Sequence, residues 1–136
     1  MPKTITCLLA GAAIATFAAG GASAENWYPF YTRPGGASYL DKDSVILRPG
    51  HVSVRMESSY PDPQRLLRKG KVFVYKQAKD LLDIDCKANV YRLIARDLYS
   101  EEGVMQISIN EADDPLMILA DSPQAALAAA YCQRAR

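Results

Sequence analysis

The chain is short of the residues that most chemistry needs. It has one histidine, one tryptophan and three cysteines among 136 residues. The single histidine, His51, stands at the start of a strand-like run beside Pro49-Gly50, and no serine or cysteine stands out as a nucleophile to pair with it. Catalysis is therefore not expected, and neither is a cofactor. Also lacking is an excess of charge of either sign, since 16 basic residues face 15 acidic ones. That balance excludes a nucleic-acid binder or a polyacidic carrier of the kind that bulk charge reveals. Carboxylates do cluster, as Asp80, Asp83 and Asp85 and as Asp113-Asp114. Neither group has the glycine-turned loop and distal glutamate of a calcium site, so solvated turns and no metal are expected.

No apolar run reaches membrane-spanning length either. The longest one opens the chain: Lys3 is followed by an apolar stretch from Cys7 to Ala19 and then by Gly20-Gly21-Ala22-Ser23-Ala24. A basic start, a short apolar core and small residues are the order of a secretory signal, and a spanning anchor would need roughly 20 apolar residues. Residues 1–24 are read as a signal peptide and residues 25–136 as one exported domain, periplasmic or secreted to the cell surface, with no membrane span once the signal is gone. Cys7 precedes the apolar core instead of ending it, which is the wrong place for a lipidation site. Removing the signal leaves two cysteines, Cys86 and Cys132, an even number in an oxidising compartment. They are read as a disulfide, because a redox pair would ordinarily sit two residues apart. Closing that loop stabilises the fold by about 4 kcal/mol in the loop-entropy account.

What remains reads as β-rich. Trp27 to Thr32 is aromatic and β-prone, with Pro29 restricting it to an edge or a bulge. Short strands are expected at Ser38–Asp41 and Val45–Leu47, separated by a turn at Asp41-Lys42-Asp43-Ser44. From His51 to Ser58, Val52, Val54 and Met56 alternate with Ser53, Arg55 and Glu57, the period of a half-buried strand. Tyr60-Pro61-Asp62-Pro63 lacks the donors that regular structure uses, so an exposed loop is expected there, continuing through Lys71 into a strand at Val72–Tyr75. A long strand is expected from Leu82 to Tyr99, with Cys86 within it. Arg92 and Arg96 interrupt its apolar face, and periodicity alone does not separate strand from helix there. The hairpin connection Ser100-Glu101-Glu102-Gly103 and the alternation after it decide for strand. After Leu116–Leu119, a helix is expected with Ser122 as cap, Pro123 first in the helix and an alanine-rich body, placing Leu127, Tyr131 and Cys132 toward the sheet. The fold class is α+β: an antiparallel sheet of five to six strands with a C-terminal helix fastened through Cys86 and Cys132.

Several of these residues together resemble the surface-adhesin protein E-like family of bacterial envelope proteins. They are Trp27, Tyr39-Leu40-Asp41, Ser44-Val45-Ile46, Val52 and Val54, Asp85-Cys86, Tyr99, Gly103, and Ser122 leading to Cys132. The resemblance runs nearly the whole length after the signal. It implies the same sheet and disulfide-fastened helix, and adhesion to host or matrix proteins as in some members. Two features depart from it: Leu116-Met117 stands where a tryptophan is expected before the helix, and the signal lacks a lipobox. Two functions follow: an adhesin-like domain whose partner is a host or envelope protein, or a soluble periplasmic accessory protein of an envelope assembly. For a partner site, attention falls on the basic group Arg65, Arg68, Lys69 and Lys71, with Tyr60 and Tyr75 as neighbouring aromatic contacts.

Overall fold

A computed structural model describes residues 26–136, so the segment expected to be a signal peptide, with Cys7, lies outside the described residues. Six strands follow one another as an antiparallel meander: β1 (Trp27–Arg33), β2 (Gly36–Arg48), β3 (His51–Arg68), β4 (Lys71–Asp85), β5 (Val90–Tyr99) and β6 (Met105–Ile109). A two-residue β7 (Leu116–Met117) pairs with the start of β5, and one helix, α1 (Pro123–Tyr131), ends in a 3-10 turn at Cys132–Arg134. The fold class is as the sequence indicates. Strands β2 and β3 are longer than expected, because stretches that read as breaks are absorbed as bulges, whereas the strand expected from Leu82 to Tyr99 is divided by a turn between Asp85 and Val90; three bulges shape the sheet.

The first is in β2, where the register jumps between Asp41 and Ile46. One bulged strand therefore replaces the two short strands and the turn. Asp41 and Ser44 hold the bulge locally: the Asp43 amide donates to Asp41 Oδ1 at 3.2 Å and Ser44 Oγ donates to the Asp41 carbonyl at 2.7 Å. The second is in β3, which continues through Pro61 and Pro63 where a loop is expected. Its pairing with β4 skips from Ser59 to Gln64, so the prolines fall where no ladder hydrogen bond is required. The third is in β5, where Leu82 faces Leu93 but Leu81 faces Ala95, leaving Ile94 as the extra residue.

That last bulge explains why the arginines seemed to spoil a face. Tyr91 and Leu93 lie on the core side before it, Arg96 and Leu98 after it, and Arg92 is exposed on the other side. Cys86 is not inside a strand. It opens the turn between β4 and β5, whose amides at Lys87 and Ala88 donate to Asp85 Oδ1 at 3.1 and 3.0 Å. The Ala88 hydrogen bond foremost, then neighbouring His51 and the Lys87 amide, hold the Asp85 pKa below its ordinary value.

The core lies on one face of the sheet. Leu40, Val52, Val54, Met56, Leu82, Ile84 and Leu93 supply it from four neighbouring strands, and Leu127 of α1 closes it. The helix starts as its sequence indicates, with the Ala125 amide donating to Ser122 Oγ at 3.1 Å and Pro123 in its first turn. Tyr31 of β1 donates its hydroxyl to the Asp121 carbonyl just before the helix. At the other end, Cys132 is bonded to Cys86 with their Cα atoms 5.6 Å apart, and the Gly50 amide donates to the Ala135 carbonyl at 2.6 Å. The helix is thus fixed at both ends on the sheet.

Candidate functional site

Strands β3 and β4 outrun their neighbours. Pairing of β2 with β3 stops at Ala37 opposite Ser59, and pairing of β4 with β5 stops at Gln77 opposite Tyr99. Beyond these points the two strands pair with each other as a distal hairpin, Gln64–Arg68 against Lys71–Tyr75. Its turn is Lys69-Gly70, with φ of 48° and 74°. A two-residue turn with both φ values positive matches the right-handed twist of the strands, which is why so short a connection closes the hairpin.

Register divides the hairpin into two faces. Arg65 with Val74 and Leu67 with Val72 share the outer one. Leu67 is 70% exposed, Val72 52% and Val74 45%. The inner face carries Leu66 opposite Phe73 and Arg68 opposite Lys71, and it turns toward the β5–β6 end of the sheet. There Leu66 and Arg68 line a small cavity of about 120 Å³ with Leu93, Arg96 and Ile109, and Arg68 reaches Glu111 at 2.9 Å.

The six residues singled out from the sequence therefore have different situations. Arg65, Lys69 and Lys71 are exposed on the hairpin. Arg68 is committed to Glu111. Tyr60 and Tyr75 are brought against each other at the hairpin's base, edge to face, with ring centroids 6.0 Å apart. Burial raises the Tyr75 pKa above its usual value. The outer apolar strip of Leu67, Val72 and Val74 escaped the sequence reading. Once Lys69-Gly70 is taken as a two-residue turn, the period of two on either side of it would have placed these residues together.

Elsewhere several charged groups are satisfied internally. Asp83 accepts from Arg48 at 2.7 Å and from Ser53 at 3.0 Å, and lies 3.2 Å from His51 Nδ1. The serine and the histidine both contact the carboxylate instead of each other, which is not the geometry of nucleophile activation. Asp80 faces the core and accepts two hydrogen bonds from Arg96. Among the described residues, no group of three or more histidine, cysteine or carboxylate side chains is placed to hold a metal ion. Lys79 sits over two rings on the opposite face of the sheet, 5.7 Å from the Trp27 centroid and 5.6 Å from that of Tyr99. No described helix is long and apolar enough to cross a membrane.

A family model described as surface-adhesin protein E matches residues 27–133. No curated protein matches, and no solved structure does.

Proposed function

The chain belongs to the surface-adhesin protein E family, and from that premise we propose that it is an exported, non-enzymatic envelope domain that holds a host or envelope protein through the distal β3–β4 hairpin. The observation that carries this reading is the outer strip of Leu67, Val72 and Val74, with Arg65 on the same face. Three apolar side chains on a projecting two-stranded arm contribute nothing to the core. Exposed apolar groups beside a charged one are what a protein interface uses, with the apolar centre giving affinity and the charge at its margin giving steering. The Cys86–Cys132 bond fits the oxidising destination of an exported protein.

The test has two arms. Intact cells producing the full chain are treated with protease, which digests the domain if it is displayed and spares it if it is confined to the periplasm. Purified domain is then titrated onto immobilised matrix proteins and onto an envelope extract, beside the R65S/L67S/V74S variant. Binding that falls at least tenfold in the variant, and weakens with salt in the parent, is the expected result. Equal binding by both proteins would remove the hairpin from the interface. Protection from protease in intact cells would move the partner inside the envelope and favour the accessory role.

A further inference from the structure

The sheet has two edges, and they are not alike. On one side β1 carries Pro29, Arg33 and a register shift between Pro29 and Tyr31, all of which discourage a further strand. On the other side β6 reads Met105-Gln106-Ile107-Ser108-Ile109, with neither charge nor proline, and among the described residues no strand pairs with its outer side. An edge without charge or proline is ordinarily a hazard that folds cover or blunt. Here it borders an open groove of about 450 Å³ between β6 and the inner face of the hairpin, lined by Phe73, Ile107 and Ile109 together with Lys69 and Lys71.

We propose that this groove takes an extended, acidic segment of a partner protein, which adds a strand to the β6 edge. Strand addition satisfies the backbone groups of β6 while alternate side chains of the segment enter the groove. The apolar residues Phe73, Ile107 and Ile109 select apolar side chains there. Lys69 and Lys71 select the sign of the remainder, because Arg68 in the same wall is already neutralised by Glu111. A second copy of this chain is a poor occupant: its own β6 has no carboxylate to meet the lysines. The inference rests on the interaction-domain reading but uses the inner side of the hairpin, whereas the outer strip lies on the other.

The experiment uses a fluorescent eight-residue peptide of alternating isoleucine and glutamate, titrated into the purified domain at low salt and read by polarisation. Saturable binding is expected, weakened at least tenfold by K69E/K71E, whose side chains are exposed and whose folding is checked by circular dichroism. Two N-methylated versions of the peptide, each blocking one set of alternate amides, give the sharper result. A strand docked by one edge loses binding with one set and keeps it with the other. No saturable binding, equal binding of both methylated peptides, or loss with both would overturn the proposal. So would a β6-mediated dimer in sedimentation that the peptide does not dissociate. The R65S/L67S/V74S variant separates the two readings: it loses the protein partner of the outer strip while retaining the peptide.

Discussion

Arg96 donates two hydrogen bonds to Asp80 across neighbouring strands, at 2.7 and 2.8 Å, and Asp80 is only 3% exposed. Burial lowers the pKa of the guanidinium, but the bonds and charge of Asp80 outweigh that and raise it above its ordinary value. The guanidinium therefore stays charged in the folded state. Removing one leaves the other buried without its counter-ion, so R96M or D80N is expected to destabilise the domain by about 3 kcal/mol. The double variant D80L/R96M is expected to recover much of that, because neither charge then remains to be solvated. Urea unfolding of the three variants measures the difference, and additive single losses would show that the two residues act separately.

The disulfide joins points 46 residues apart in sequence, and the loop it closes contains β5, β6, β7 and α1. Replacing both cysteines in C86A/C132A is expected to cost about 4 kcal/mol, most of it through a freer unfolded chain. Loss should be greatest at the helix, because it is then tied to the sheet without a covalent link, by Leu127 in the core, the Tyr31 hydroxyl on the Asp121 carbonyl and the Gly50 amide on the Ala135 carbonyl. Hydrogen exchange checks this. Amides of α1 should lose protection before those of β3 and β4, and uniform loss would argue against a locally fastened helix.

How far the sequence led depended on which elements announce themselves locally. The helix did, since Ser122, Pro123 and the alanine run are its own start signal and body. So did the strand from His51 to Ser58, whose buried and exposed residues alternate without interruption. The bulges did not. Asp41–Ile46, Ser59–Gln64 and Ile94 are irregular only relative to a partner strand, and a partner is not visible in one segment. The same holds for the site. Its basic residues stood out as a cluster in sequence, but that Arg68 turns inward to Glu111 while Leu67 turns outward follows from register alone.

Gly36 begins β2 with φ of 153°, and a Cβ added there would stand 2.7 Å from the Ser59 carbonyl oxygen. The obstacle is backbone of the central β3 strand, which cannot swing away as a side chain could. G36A is expected to destabilise the domain by about 1–3 kcal/mol. It should also loosen β1, the edge strand that Gly36 pairs through Arg33. Thermal melts and exchange at the β1 amides test this, with G35A as the control, since a Cβ at Gly35 meets nothing closer than a mobile Arg33 side-chain nitrogen at 3.9 Å.

Tyr75 and Tyr91 are both half-buried, and desolvation raises the pKa of each above the usual tyrosine value of 10.0. The sign of the resulting pH dependence is fixed. In the unfolded chain both hydroxyls release their protons near pH 10, whereas in the folded domain they hold them to higher pH. Above pH 10 the folded state thus binds more protons than the unfolded one, so raising the pH removes stability. Below that value both states carry neutral tyrosines and these two residues impose no slope. The melting temperature is expected to fall as pH rises from 10 to 11.5, and the Y75F/Y91F variant should fall less steeply over the same interval. Equal alkaline slopes in the two proteins would show that the burial of these hydroxyls is not what limits the domain at high pH.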